Sequence, residues 1–430
     1  MAENLNIKSI LSPGISNMGG TLVSKTRGDR VIWAIVIILT LASLLLVYSS
    51  TGSLAYRMSK SNESYLFKQF AFIILGLLII YWAHRINYTI YSRVALILFL
   101  ASAPLLLYTL VAGVELNAGS RWIKLPVINM TLQTSDLAKL ALFMYMSRQL
   151  SRKQKVIKDF KKGFLPILGP VIIICGLIAP ANLSTSILIA GTSFILMFIG
   201  RVSTKHILAT LGIACIPLVL LVVVALSTYD KETHETKKLP ALLSVARIPT
   251  WISRVQTFVY GSNELESDKT YQVNQAKIAI AKGGLLGVGP GNSEQRNFLP
   301  HSYSDFIYAI IIEEYGLFGA AFIVFIYLLF LYRCIRIYKR CPYAFGAFLA
   351  LGLSFMLAIQ AMANMAVNVG LFPNTGVTLP LVSMGGSSFL FTCLSIGIIL
   401  SVSRNVEQQE GTQVKEIKKE IEEEEARESE

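Results

Sequence analysis

The sequence predicts an all-α polytopic membrane protein with about ten transmembrane helices. Of its residues, 53% are hydrophobic and only 15% are charged, and the mean hydropathy is +0.57. Soluble domains average about 25% charged residues, so this composition excludes a water-soluble enzyme of two or three domains. We attribute the net charge of +13 to cytoplasmic loops rich in Lys and Arg and to outside loops that face anionic lipid, rather than to nucleic-acid binding.

Ten apolar runs are long enough, or nearly so, to cross a bilayer, which requires about 20 residues of helix. They cover residues 31–50, 67–86, 91–115, 135–148, 164–180, 185–200, 207–228, 306–331, 343–370 and 383–403. A polar, basic leader of residues 1–30 precedes the first run. We therefore expect that run to be a mature anchor rather than a cleavable signal peptide.

Orientation follows from the basic loops, because Lys and Arg are retained on the cytoplasmic side. Basic clusters separate alternate runs at residues 148–162, 201–205 and 333–340. With ten spans, both termini are then cytoplasmic, and the outside segments include residues 116–134, 229–304 and 371–382. The second of these is one large extracytoplasmic loop between helices 7 and 8.

The membrane domain is predicted to span residues 31–404, and an acidic cytoplasmic tail covers residues 405–430. Within residues 407–430 there are ten acidic and four basic side chains. This pattern is typical of a solvated helix or a disordered tail, and the alternative is a docking site for a partner.

The large loop contains an amphipathic segment at residues 249–260. Its apolar residues are interspersed with Arg254 and follow Arg247, a pattern typical of a helix lying flat at the membrane surface. The segment is either a simple interfacial anchor or a site where Arg247 or Arg254 binds the phosphate of a lipid headgroup.

A glycine-rich stretch follows at residues 282–292. It lacks the Gly-Lys-Ser/Thr ending of a phosphate-binding loop and follows no plausible strand, so it does not indicate nucleotide binding. Glycine permits positive φ angles, and we expect tight turns here against a substrate or the membrane surface.

Asp305 stands at the entry of the eighth run, after Ser304. One interpretation is structural: Ser304 caps the helix and Asp305, in its first turn, offsets the positive helix end. The other is that Asp305 is a general base, partly desolvated at the lipid boundary and so tuned towards neutral pKa.

Ionisable residues inside the runs are costly and indicate functional or structural pairs. Asp136 and Lys139 are three residues apart, so they can pair on one helical face, as an internal brace or as the lining of a cavity. Glu313 and Glu314 point to different sides of the eighth helix. We expect at most one of them to share the cavity of Asp305 and the other to bind a partner elsewhere.

The last runs hold amide, proline and small residues, among them Asn364, Asn368 and Ser387. Small residues allow close helix approach, and packing explains most of this composition.

Several motifs in a fixed order resemble the SEDS family (shape, elongation, division and sporulation) of peptidoglycan glycosyltransferases, which includes FtsW and RodA. They lie at residues 119–123, 133–139, 271–272, 299–306, 313–316, 373–376 and 379–388. Gly291, Asn292 and Ser293 resemble the cell-division member FtsW more than RodA. The family usually has other residues where this chain has Thr134, Asp136, Asn182, His301, Tyr303 and Ser304, but Asp305 is kept.

The resemblance implies a membrane enzyme that polymerises undecaprenyl-linked lipid II outside the cell, in septal wall synthesis, with Asp305 as the base of an inverting reaction. It implies a class B penicillin-binding protein and other division proteins as partners, Mg²⁺ or Mn²⁺ as a possible cofactor, and neither nucleotide nor nucleic acid. Implied substrate-binding residues are Arg121, Lys139, Arg247, Arg254, Tyr271, Gln272 and Ser387. Implied supporting residues are Asp136, Ser304, Glu313 and Glu314.

Three alternatives remain open at this point. A lipid II flippase would account for the intramembrane residues Asp136, Lys139 and Glu313 at least as well as an enzyme does. A non-catalytic division scaffold would need none of them for chemistry. An elongation polymerase of the RodA type would share the reaction but not the septal role.

Overall fold

The computed structural model describes residues 28–52, 54, 61–115, 120–124, 131–229, 248–260, 268–300 and 302–428. Residues 1–27 of the leader, Arg247 and His301 therefore lie outside the described residues. Twelve α-helices occur in the described part of the chain. They are α1 (Arg30–Ser50), α2 (Asn62–Arg85), α3 (Tyr88–Ala112), α4 (Thr134–Arg152), α5 (Leu165–Ile178), α6 (Leu183–Ile199), α7 (Thr204–Ser227), α8 (Ile248–Tyr260), α9 (Asp268–Gly283), α10 (Ile307–Arg340), α11 (Ala344–Asn368) and α12 (Ser387–Glu428).

Each of the ten apolar runs forms a helix, which confirms the polytopic helical prediction. Eight stretches are long and apolar enough to cross a membrane, and α6, with 17 residues, is a shorter apolar helix. The one remaining run forms α4, which carries charged residues along its length and is buried on most of its surface. Its polar residues face protein rather than lipid, so a low hydropathy is compatible with a position inside the bundle.

A small antiparallel sheet joins α3 to α4, and the all-α prediction omitted it. Its strands are β1 (Val114–Glu115), β2 (Ser120–Lys124) and β3 (Thr131–Gln133), in the order β1-β2-β3. Trp122 pairs with Gln133, the residue that leads directly into α4. The third run was predicted to reach residue 115, but the helix ends at Ala112 and the chain continues as strand. Strand pairing depends on residues distant in sequence, which helical periodicity does not reveal.

Asp29 connects three helices at one end of the bundle through an ion pair and hydrogen bonds. The Asp29 carboxylate accepts the Val31 N–H at 2.9 Å as the cap of α1, and it pairs with Arg333 Nη2 at 2.6 Å. The Asp29 N–H donates to Ser403 Oγ at 3.0 Å. The start of α1, the C-terminal part of α10 and the middle of α12 therefore meet at this end, which is the cytoplasmic end in the predicted orientation.

The centre of the bundle is α11. It packs against α4, α6, α10 and α12, and 78% of its most apolar stretch is buried. Its C-terminal half carries three buried amide side chains four residues apart, Gln360, Asn364 and Asn368. Residues four apart lie on one face of a helix. We call these three side chains the amide row.

Candidate functional site

Asp305 belongs to a turn of residues 302–306, the Asp305 segment, that precedes α10. The helix begins at Ile307, and its N-cap residue Phe306 makes no side-chain capping hydrogen bond. The prediction that Ser304 caps the helix, with Asp305 in the first turn, is therefore wrong. The segment cannot join the helix because its carbonyl groups are bound by other parts of the protein.

Three consecutive carbonyl groups of the Asp305 segment accept hydrogen bonds from distant residues. The Tyr303 carbonyl accepts the Met384 N–H at 3.0 Å, and the Ser304 carbonyl accepts Ser383 Oγ at 2.7 Å. The Asp305 carbonyl accepts Nδ2 of both Asn364 and Asn368, each at 2.9 Å. The backbone on the N-terminal side of α10 is thus held by α11 and by the loop that leads into α12.

The side chain of Asp305 is partly exposed, in contrast to the fully buried carboxylates deeper in the bundle. Its neighbour Tyr303 has a raised pKa, chiefly because the phenol is buried and further because the Asp305 charge disfavours a second anion. Tyr303 therefore remains a neutral hydroxyl at physiological pH. A carboxylate at this position can accept a proton from a substrate that approaches the end of the bundle.

Glu313 and Glu314 hold loops at the same end of the bundle. Glu313 Oε1 accepts the N–H groups of Glu294 and Gln295 at 3.1 and 3.3 Å, and Oε2 accepts a bond from Ser293 Oγ. Glu314 accepts a bond from Ser49 Oγ at the end of α1. Both carboxylates are buried, and each has a protein partner. Their geometry indicates a supporting role.

The glycine-rich stretch is inserted into the hydrogen-bond ladder of α10. At Gly316 the helix breaks, with φ 66° and ψ −164°. The Val288 and Gly289 N–H groups donate to the carbonyls of Glu313 and Glu314 at 2.9 and 3.0 Å, and the Leu317 N–H donates to Gly284 O at 3.0 Å. Backbone groups inside a membrane protein must be satisfied internally, and the inserted loop satisfies those that the break leaves free.

The predicted turns form, with positive φ at four glycines of this stretch, and they contact α10; that they also face a substrate or the membrane surface stays a prediction. A Cβ atom at Gly287 would lie 2.2 Å from Glu314 O, and one at Gly316 would lie 2.3 Å from Leu285 O. Two backbones approach too closely for any side chain, which is why glycine occupies both positions.

Asp136 and Lys139 form the predicted pair, with Lys139 Nζ 2.7 Å from Asp136 Oδ1. Lys139 Nζ also donates to Gln360 Oε1 of the amide row at 3.2 Å, and Gln360 Nε2 donates to Thr378 O at 3.1 Å. Lys139 and Gln360 line a small cleft together with Thr185 and Thr192. Lys139 therefore braces α4 against α11 through Gln360 and lines the cleft, and Asp136 is its ionic partner within α4.

Asn182 and Ser387 have local structural partners. Asn182 Oδ1 accepts the Thr185 N–H at 3.3 Å and so caps α6. Ser387 Oγ accepts the Gln133 N–H at 3.1 Å, which joins the start of α12 to the start of α4. A second small cleft is lined by Asn182, Thr134 and Ser135.

The structure describes some of the loop residues proposed for substrate binding. Gln272, next to Tyr271 on α9, accepts a bond from Asn374 Nδ2 at 3.4 Å. Arg254 is partly buried on α8, which forms the helix predicted for the amphipathic segment. Arg121 lies in β2, but the structure describes only its backbone. Arg247 lies outside the described residues.

The amide row is the feature that the sequence interpretation missed, because it treated Asn364 and Asn368 as packing residues. Gln360 binds Lys139, and both asparagines bind the Asp305 carbonyl, so the row connects the two groups of candidate residues. The signal was present: polar residues at positions i, i+4 and i+8 of an apolar run share one face.

No cluster of three or more His, Cys, Asp or Glu side chains is found among the residues that the structure describes. Mg²⁺ is often held by one or two carboxylates together with substrate phosphates, which requires no such cluster. The cofactor prediction therefore stays a prediction.

Comparison with known proteins identifies the relatives of this chain. Residues 29–408 match the family FTSW_RODA_SPOVE, described as cell cycle protein. The chain is 32% identical over 379 residues to a probable peptidoglycan glycosyltransferase FtsW of Trichlorobacter lovleyi, covering 87% of this chain and 93% of the relative. It is 31% identical over 392 residues to the stage V sporulation protein E of Bacillus subtilis, covering 88% and 98%.

Solved structures share the fold. A chain from a study of polymerization and crosslinking by a peptidoglycan synthase complex superposes with a TM-score of 0.66 at 23% identity, covering 89% of this chain and 99% of that one. The rod shape determining protein RodA of Thermus thermophilus superposes with a TM-score of 0.59 at 21% identity, covering 88% and 97%. Because both identities are below 25%, this similarity shows a shared fold and nothing more.

Proposed function

The chain belongs to the FtsW, RodA and SpoVE family of cell cycle proteins, and we propose that it is a peptidoglycan glycosyltransferase that polymerises lipid II at the outer face of the cytoplasmic membrane. Curated relatives covering most of the chain are named as probable peptidoglycan glycosyltransferases. The observation that carries the proposal within this chain is Asp305: a partly exposed carboxylate on a backbone segment that three sets of hydrogen bonds hold in place.

Asp305 acts as the general base in this mechanism. Its carboxylate takes the proton from the 4-hydroxyl of the acceptor GlcNAc, and that oxygen attacks the anomeric carbon of the donor chain. The bond to the diphosphate breaks, undecaprenyl pyrophosphate leaves with the electron pair, and the α-linked donor becomes a β-1,4 linkage. The leaving group supplies the activation, so no nucleotide takes part.

The growing charge on the pyrophosphate needs cations. Arg254 on α8, Arg121 on β2 and Arg247 belong to segments predicted to be outside. Lys139 lines its cleft, but it is 8% exposed and bound to Asp136 and Gln360, so its role is to fix the site more than to meet the phosphates. A divalent ion, Mg²⁺ or Mn²⁺, would supply further charge neutralisation when bound.

The biological setting is the cell-division septum, with a class B penicillin-binding protein and other division proteins as partners. The FtsW names of several relatives support the septal role, and a chain of this fold studied in a peptidoglycan synthase complex supports the partner. Another relative is named for sporulation, so an elongation or sporulation role is the nearest alternative.

A second candidate function is transport of lipid II across the membrane. The buried Asp136–Lys139 pair and the cleft beside it favour this reading, because ionisable residues within membrane helices often line transport paths. A division scaffold without chemistry is the third candidate.

The test uses the protein purified with its cognate transpeptidase, whose own reaction is blocked by a β-lactam, and follows glycan polymer made from lipid II. We expect polymer from the wild type and none from Asp305→Asn, with partner binding kept. Glu63→Gln is the matched control, because Glu63 is an exposed carboxylate in the first turn of α2. Full activity of Asp305→Asn would remove Asp305 as the base, and no polymer from the wild type would favour transport or scaffolding.

A further inference from the structure

The backbone around Asp305 is held in an unusual way. In a regular helix the first-turn carbonyls accept bonds from N–H groups four residues later in the same helix. Here the carbonyls of Tyr303, Ser304 and Asp305 all accept bonds from residues 59 to 81 positions away in sequence. The hydrogen bonds of this segment are thus tertiary rather than local.

Asn368 makes bonds to both sides of the start of α10. Its Nδ2 donates to the Asp305 carbonyl at 2.9 Å, and its Oδ1 accepts the Ala309 N–H at 3.1 Å. Ala309 is in the first turn of α10, so Asn368 caps that helix from outside, which is the role that sequence reasoning gave to Ser304. Asn368 is 2% exposed, and a buried side chain with both ends bonded has little freedom to move.

Asn364 and Ser383 complete the arrangement. Asn364 Nδ2 donates to the Asp305 carbonyl at 2.9 Å and to Val377 O at 2.7 Å. Ser383 Oγ donates to Ser304 O at 2.7 Å and accepts the Leu379 N–H at 2.8 Å. Both residues therefore bind the Asp305 segment and the loop of residues 377–383 at once. The loop and the segment can shift only together.

We propose that Asn364, Asn368 and Ser383 are positioning residues that hold the Asp305 segment and thereby set where the Asp305 carboxylate meets the acceptor hydroxyl. The proposal rests on the proposed role of Asp305 as the base. None of the three needs to touch the substrate, because each acts on the backbone that carries the carboxylate. A base displaced by about 1 Å can cost about 100-fold in rate, so loss of these bonds lowers kcat more than it changes KM.

Kinetics with lipid II and the blocked transpeptidase provide the first test. We expect the double variant Asn364→Ala/Asn368→Ala to lower kcat by about 100-fold with KM within about two-fold of the wild type. Ser383→Ala lowers kcat by about 10-fold, and Ser383→Thr, which keeps the hydroxyl, restores it. The control is Ser354→Ala on the same helix, since Ser354 is buried and donates to Leu351 O at 2.9 Å, away from Asp305.

Amide hydrogen exchange provides a second test that does not depend on activity. Exchange in a peptide covering residues 302–312 should rise about tenfold in Asn368→Ala and stay unchanged in Ser354→Ala. In Asn368→Ala the Ala309 N–H keeps only the Phe306 carbonyl as acceptor, and the Asp305 carbonyl loses one of its two amide donors. Thermal unfolding of each variant separates this local effect from loss of the fold.

Different outcomes of the two tests contradict different claims. The positioning role would be overturned if the double variant kept the wild-type kcat, or if its loss of kcat matched the loss of folded protein. Unchanged exchange in Asn368→Ala would also overturn it. A wild type that makes no polymer would overturn the proposed function instead, and the exchange result would still decide whether Asn368 holds the segment.

Discussion

Helices α7 and α11 have nearly the same length, 24 and 25 residues, yet they occupy opposite environments. In α11, 78% of the most apolar stretch is buried, whereas in α7 the share is 6%, although α7 is the more apolar of the two. The central helix carries three buried amides among its apolar residues, whereas α7 carries no amide side chain. Lipid is as apolar as Leu, so a membrane protein builds its centre from close packing and hydrogen bonds.

The few polar contacts of α7 connect it to the large outside loop. Gln256 of α8 donates from Nε2 to Ala225 O at 2.8 Å, and the rings of Tyr229 and Tyr260 stack with centroids 4.1 Å apart. Helix α8 is therefore attached to the least buried membrane helix, while the Asp305 segment is attached to the most buried one. The comparison predicts that substitutions near α11 have large effects and equivalent ones on α7 have small effects.

The largest effect on stability is expected at the contact between α4 and α11. Lys139→Met leaves the Asp136 carboxylate buried without its cation, which costs about 3–5 kcal/mol. The double variant Asp136→Leu/Lys139→Met should be more stable than Lys139→Met, because it removes the uncompensated charge. Thermal and denaturant unfolding in detergent measures both, and a single variant as stable as the wild type would contradict the burial of this pair.

The next largest effect on stability is expected when a buried side chain, rather than a lipid-facing one, is truncated to alanine. Leu353→Ala on α11 should destabilise by about 2–4 kcal/mol, because Leu353 is fully buried and its loss leaves a cavity. Ile213→Ala on α7 should change stability by less than about 0.5 kcal/mol, since Ile213 is 68% exposed to the predicted lipid phase. Similar losses at the two sites, in the same unfolding assay, would show that α7 is packed against protein.

Replacing glycine by alanine should lower the stability at one membrane helix and leave it unchanged or raise it at another. Gly316→Ala in α10 forces a side chain into a glycine-only conformation at the break and should cost about 1–3 kcal/mol. Gly212→Ala in α7 should be neutral or stabilising by up to about 1 kcal/mol, because alanine favours a helix interior. A Cβ atom at Gly212 meets no atom within 4 Å in the described part of the chain. Equal melting shifts for the two variants would contradict the inserted loop.

The smallest effect is expected where α8 meets α7. Gln256→Ala removes the amide that binds Ala225 O and should cost about 1 kcal/mol, with faster amide exchange within α8. Exchange around Asp305 should not change, because that segment is held by α11. Faster exchange in both regions would indicate that α7 and α11 are coupled.

Several features were predictable because they depend on neighbours in sequence. The helices follow from apolar runs, the Asp136–Lys139 pair follows from a spacing of three residues, and the amphipathic helix follows from alternation around residues 249–260. Where a competing interaction came from a distant residue, local reasoning was wrong. Ser304 has the chemistry of a helix cap, but its carbonyl is bound by Ser383, and Asn368 caps the helix instead.

The sequence by itself therefore determined the membrane environment of the protein, its helices and its family resemblance, since composition, periodicity and motif order are properties of the chain. It also indicated Asp305 as the candidate base, which stays a prediction. The tertiary structure decided what the polar residues inside the bundle bind. Glu313 and Glu314 hold loops, the glycines admit a loop into α10, and the amide row holds both Lys139 and the Asp305 carbonyl. A buried polar group must find a partner, and only the packing of distant segments determines which partner is within reach.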